Sequence, residues 1–125
     1  MKTIFLIEDD RIMSECIARA IRKSQSEPVE LYTFTNGITA IQALNNKLPD
    51  LIFLDILLSG PDGFSLLNEL ASYNDTAKIP VIIISPLDLS RQDLSCYNVK
   101  TILQKETMTP SSISEAVMEV LDRAE

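Results

Sequence analysis

Five polar residues interrupt apolar stretches in a pattern that could do chemistry. Glu8 and Asp9 follow Ile4-Phe5-Leu6-Ile7, and Asp55 follows Leu51-Ile52-Phe53-Leu54. Ser85 closes Pro80-Val81-Ile82-Ile83-Ile84, and Lys105 closes Thr101-Ile102-Leu103-Gln104. If these runs are parallel strands, three carboxylates, one hydroxyl and one ammonium share a shallow pocket. Like charges a few ångströms apart repel, so such a cluster calls for a cation. Hard carboxylate oxygens with water suit Mg2+, which takes few protein ligands and keeps several waters. One carboxylate of the set could then act as a nucleophile towards phosphorus. The metal and Lys105 would neutralise the oxygens of a phosphoryl group in transfer. Ser85 would donate a hydrogen bond to the acylphosphate formed.

Short apolar runs alternate with helical patterns along the whole chain. Met13, Cys16, Ile17, Ala20 and Ile21 recur at three and four, predicting an amphipathic helix with Cys16 on its buried stripe. Asp10 is placed to cap that helix. Val29–Phe34 is β-branched and aromatic, and the absence of a charge at its end fits an edge strand. Asn36-Gly37 marks a turn or cap before a helix through Ile38, Ile41 and Leu44, and Phe64, Leu67, Leu70 and Ala71 mark a third. Leu87–Asn98 has a weak pattern, read as a poorly specified helix. Thr109 with Pro110 starts a last helix through Ile113, Val117, Val120 and Leu121. Five β-α repeats with strands apolar on both faces predict an α/β fold, a flavodoxin-like (βα)5 doubly wound parallel sheet of order 2-1-3-4-5. Such sheets bind ligands beyond the carboxyl ends of their strands.

The 125 residues predict one domain over 1–125. With 46% hydrophobic and 23% charged residues, wholesale disorder is excluded. Eleven basic against 18 acidic residues give −7, which argues against autonomous binding to nucleic acid or anionic membrane. The lack of His removes His-based general base chemistry, His metal ligands and a phosphohistidine role. Two cysteines, Cys16 and Cys96, do not suggest a disulfide scaffold or a zinc site. No apolar run approaches a membrane span, and the N-terminus lacks a signal-peptide core, so a cytoplasmic location is expected.

The sequence resembles a response-regulator receiver domain, the phospho-accepting module of two-component signalling, of the chemotaxis-regulator type. The resemblance covers the whole chain. It rests on Ile7-Glu8-Asp9-Asp10, on Pro49-Asp50-Leu51-Ile52-Phe53-Leu54-Asp55 followed by Asp62-Gly63-Phe64, on Ser85 thirty residues beyond Asp55, and on Lys105 fifty beyond it. It implies that Asp55 is the phospho-acceptor and that Glu8, Asp9, Asp55 and the carbonyl of Leu57 hold Mg2+. It further implies Ser85 as the switch hydroxyl and Lys105 as the phosphate-pairing lysine. A sensor histidine kinase or phosphotransfer protein would supply the phosphoryl group. An unidentified output partner would read a surface built from the fourth helix, fifth strand and fifth helix. A homodimer through the fourth-helix face is compatible with the sequence without being called for by it.

The chain departs from the family pattern in several places. Ser59 stands where Pro is usual, and Pro86 follows the switch hydroxyl where a small residue with an N–H is usual. Ile102 replaces an aromatic, and Glu106 replaces a Pro after the lysine. The segment from Ser85 to Asn98 is short for the family, implying a truncated fourth helix. These departures motivate an alternative, a degenerate receiver that acts by protein contact without phosphorylation. A flavin site is opposed by the acids after the first run. An aspartyl phosphatase of the haloacid-dehalogenase type would want a second Asp where Leu57 stands.

Overall fold

The computed structural model describes residues 1–58 and 63–123. Of the expected loop Ser59-Gly60-Pro61-Asp62-Gly63, the first four residues, including Ser59 at the family's Pro position, lie outside the described residues, and Gly63 belongs to the helix that follows. Five strands form the sheet: β1 (Thr3–Ile7), β2 (Glu30–Phe34), β3 (Leu51–Asp55), β4 (Val81–Ser85) and β5 (Val99–Gln104). Its order is β2-β1-β3-β4-β5, and every neighbouring pair is parallel. The expected flavodoxin-like topology is therefore observed.

Helices α1 (Arg11–Lys23), α2 (Gly37–Leu44) and α3 (Gly63–Ala71) follow the first three strands. A single turn, α4 (Asn74–Ala77), precedes β4, and α5 (Pro110–Arg123) follows β5. The starts have clear causes. Asp10 accepts from the N–H groups of Ile12 and Met13 at 2.9 and 3.1 Å, capping α1 as expected. Asn36 does the same for α2 through Thr39 N–H at 2.9 Å. At α5, Thr109 Oγ1 accepts from Ser112 N–H while Ser112 Oγ accepts from Thr109 N–H, at 3.1 and 2.8 Å. This is a reciprocal cap with Pro110 at the first helical position.

Alternation along the strands divides the core in two. Ile4, Leu6, Leu51, Phe53, Ile82 and Ile84 face α1 and α5, joined by Ile17, Ile21, Val117 and Leu121. Phe5, Ile7, Ile52, Leu54, Val81 and Ile83 face the other way, with Leu44, Leu66, Leu67 and Leu70. Strands buried on both faces read as continuous apolar runs, and β1, β3 and β4 are buried at every position.

Two expectations fail. Leu87–Asn98 forms turns, not a helix. Asp88 Oδ1 accepts from Ser90 N–H at 2.9 Å, and Asp93 Oδ1 accepts from Ser95 N–H at 3.0 Å and from its hydroxyl at 2.6 Å. These local bonds offer the backbone an alternative to helical pairing. The segment still covers the sheet, because Leu89 is buried and Leu94 and Tyr97 pack on the second core cluster. Cys16 is exposed, not on the buried stripe. The buried residues of α1 are Ile17, Ala18, Ala20 and Ile21. Cys16 sits about 100° round the helix from Ile17, on the side away from Ala18.

Candidate phosphoryl-accepting site

Strand register gathers the candidate residues. Thr3 N–H donates to Asp50 Oδ2 at 2.8 Å, and Asp50 N–H donates to the Thr3 carbonyl at 2.7 Å. This lock starts β3 beside β1, so Ile7 pairs with Leu54 and the next residues, Glu8 and Asp55, emerge together. Asp55 pairs with Ile84, which brings Ser85 to the same rim. Between β4 and β5 the register slips by one residue at Lys100. Beyond that bulge Gln104 faces Ser85, and Lys105 is the first residue past the strand.

Glu8, Asp55 and Ser85 are buried, at 1%, 0% and 0% exposure. Asp9 is exposed. Carboxylate oxygens of Glu8, Asp9 and Asp55 all lie within 4.8 Å of one another. Lys105 reaches over them, its Nζ 3.0 Å from Glu8 Oε1 and 3.0 Å from Asp55 Oδ2. Backbone N–H groups serve the remaining oxygens. Leu57 N–H donates to Asp55 Oδ1 at 3.1 Å, and Asp10 N–H donates to Glu8 Oε2 at 3.2 Å. Glu8 Oε1 is buried with no well-aligned hydrogen bond, so its contact with Lys105 is an ion pair alone.

The electrostatics follow from this crowding. Burial, and then the shared contact with Asp55, push the Glu8 carboxyl up to about 7, against the pull of Lys105 and of Asp10 N–H. Burial works to lower the Lys105 ammonium, but bonds to Asp55 and Glu8 outweigh it and raise its pKa above the ordinary lysine value. Lys105 thus pairs with two of the three clustered carboxylates, and a buried oxygen of Glu8 is left without a hydrogen bond. That donor set fits a hard divalent cation. Glu8, Asp9 and Asp55 supply oxygens suited to Mg2+.

Ser85 lies at the rim with its hydroxyl bonded to Leu87. Ser85 Oγ donates to the Leu87 carbonyl at 3.0 Å and accepts from Leu87 N–H at 2.9 Å. Leu57 and Leu87 flank the rim as exposed apolar side chains, 44% and 46% accessible. All the expected side chains therefore meet at one end of the sheet. Two further residues shape the site without having been assigned a role from the sequence. Gly63 N–H donates to the Ile56 carbonyl at 2.9 Å. A Cβ at Gly63 would lie 2.6 Å from Ile56 Cα and 2.9 Å from the Asp55 carbonyl oxygen. The glycine is required for α3 to start against the backbone carrying Asp55. Gln104 Nε2–H donates to the Leu87 carbonyl at 3.1 Å. Gly63 could be found in the Asp62-Gly63-Phe64 motif, whereas nothing in the sequence marks Gln104.

The chain is similar to known proteins in sequence and fold. The heme response regulator HssR of Staphylococcus epidermidis is 31% identical over 88 residues, covering 70% of this chain and 37% of that protein. The chain thus spans little more than a third of that relative's length. A putative response regulator from Chloroflexus aurantiacus superposes with a TM-score of 0.84 at 23% identity, over 98% of both chains. The phosphorylated cyanobacterial phytochrome response regulator RcpA gives a TM-score of 0.75 at 27% identity, covering 97% of this chain and 91% of that one. The sequence pattern of the response regulator receiver domain matches residues 4–118, from Ile4 in β1 to Met118 in α5. By that match the chain belongs to the response regulator receiver family.

Proposed function

We propose that this chain accepts a phosphoryl group on Asp55 and relays that event to a protein partner. The observation that carries the reading is Lys105 Nζ standing 3.0 Å from both Glu8 and Asp55, whose carboxylates also lie within 4.8 Å of Asp9. Receiver domains are signalling domains that take phosphoryl groups through histidine kinases and act on output partners. A sensor histidine kinase or a phosphotransfer protein is the donor proposed for this one.

Glu8, Asp9 and Asp55, with the Leu57 carbonyl, would hold Mg2+. Bound there, the cation would balance the acidic cluster and the charge of the incoming phosphoryl oxygens. The chain's own residues do the rest. Leu57 N–H and Lys105 orient the Asp55 carboxylate. One of its oxygens attacks phosphorus; an O–P bond forms while the P–N bond of the donor phosphohistidine breaks, its electron pair staying on the imidazole nitrogen. Lys105 pairs with a phosphoryl oxygen, and the Ser85 hydroxyl turns from Leu87 to donate to another. Ser85 and Lys105 are joined by Lys105 N–H donating to the Ser85 carbonyl at 2.9 Å, so both respond at adjacent strand ends. The responding surface comprises β5, α5 and the turn segment 86–98, the last in place of the expected fourth helix.

Amide NMR with Mg2+ and beryllofluoride tests this reading. Shifts centred on Asp55 and extending to Ser85, Leu87 and Lys105 are expected. An unchanged spectrum at saturating analogue would overturn it in favour of contact-only signalling.

A further inference from the structure

Ser85 and Gln104 face each other across β4 and β5, and both reach one backbone carbonyl. The Leu87 oxygen accepts from Ser85 Oγ at 3.0 Å and from Gln104 Nε2 at 3.1 Å. A carbonyl oxygen has two lone pairs, so two donors fill it. Pro86 has no N–H and adds no bond to this turn.

Ser85 has a single hydroxyl proton. It can rest on Leu87 or on a phosphoryl oxygen, not on both. Turning it towards a phosphoryl group removes one donor from the Leu87 carbonyl and leaves the Gln104 amide as the other. Meanwhile Lys105 N–H holds the Ser85 carbonyl at 2.9 Å, so the strand end itself stays tied. Ile102, two residues before Gln104, carries no group that could hydrogen-bond this turn.

We infer that Gln104 is a positioning residue for the switch. Its amide anchors the Leu87 carbonyl, so the turn after β4 keeps its place when the Ser85 hydroxyl moves to the phosphoryl group on Asp55. This inference rests on the phosphoryl-accepting reading above. Gln104→Met removes the donor with little change of shape. Before ligand binds, Ser85 still satisfies the Leu87 carbonyl in that variant, so its fold should persist.

The test is a double-mutant cycle on Mg2+-dependent beryllofluoride affinity, using the wild-type chain, Gln104→Met, Ser85→Ala and the double variant. Gln104→Met is expected to weaken binding about two- to tenfold, the range for one neutral hydrogen bond. In the Ser85→Ala background the same change should have no further effect, because no hydroxyl leaves Leu87. The bound-state amide shift of Leu87 should also differ between wild type and Gln104→Met. Unchanged or tighter binding by Gln104→Met, or equal losses in both backgrounds, would overturn the inference while leaving the phosphoryl-accepting reading intact. Failure of the wild-type chain to bind the analogue would remove both.

Discussion

Replacing Glu8 by Gln should make the metal-free protein more stable at pH 8 and flatten its pH dependence. The Glu8 carboxyl rises from 4.5 to about 7 on folding. Each unit corresponds to about 1.4 kcal/mol, so ionising Glu8 in the fold costs about 3 kcal/mol. The folded state binds the extra proton between the two values. Stability is therefore greatest below pH 4.5 on this account and is lost as pH rises through 7. Lys105 does not blur the window. Its raised pKa contributes stability that persists until far more alkaline pH. Nor do Glu30, Asp88 and Asp93, whose lowered values place their losses below it. The value of about 7 already includes the pull of Lys105, so Glu8→Gln, which has no charge to bury, should gain up to about 3 kcal/mol over wild type at pH 8. Urea unfolding in chelator from pH 5 to 8 measures this directly. Wild type should lose stability across the range and Glu8→Gln should not. Saturating Mg2+ should stabilise wild type more than the variant, by linkage to binding. Parallel pH profiles, or a variant less stable at pH 8, would refute the crowding of charge at this rim.

Lys105→Met should destabilise the metal-free chain by about 3 kcal/mol or more, because Glu8 Oε1 and Asp55 Oδ2 lose their buried counter-charge; chemical denaturation checks it. Gly63→Ala should lower the denaturation midpoint and weaken Mg2+ affinity together, since its Cβ meets backbone 2.6 Å away at Ile56. Asp10→Ala should cost about 1 kcal/mol through loss of the α1 cap and leave beryllofluoride affinity within about twofold of wild type, as titration would show. The phosphorylated chain should lose its phosphoryl group slowly, because Leu57 and Leu87 present no group to orient water; a half-life of only seconds, followed by intact mass, would contradict this.

Much of the site was legible in the sequence because each of its residues breaks an apolar run. Glu8, Asp55 and Ser85 stand where buried strands end, Lys105 follows the partly exposed β5, and a parallel sheet has one rim for all such ends. Capping by Asp10, Asn36 and Thr109 was equally readable, since those residue types satisfy N–H groups at a helix start. Periodicity was weaker evidence for what lies beside the strands. The stripe through Met13, Cys16 and Ile17 could be drawn with Cys16 inside, but the buried face is centred on Ile17, Ala18, Ala20 and Ile21 and leaves Cys16 outside it. The segment from Leu87 to Asn98 carries only a weak helical pattern, and Asp88 and Asp93 bond to the backbone two residues on. Whether those local bonds or a helical ladder prevail depends on what Leu89, Leu94 and Tyr97 can bury against. Gln104 was silent because its role depends on the bulge at Lys100, which decides which residue faces Ser85.

The most direct measurement is phosphorylation itself. The chain is incubated with a small phosphoryl donor such as acetyl phosphate, with Mg2+ or with chelator, and followed by intact mass and peptide mapping. One phosphoryl group should appear on Asp55, only with Mg2+, and should vanish in Asp55→Asn. An adduct that persists in Asp55→Asn, or no adduct at all in the wild-type chain, would contradict the account.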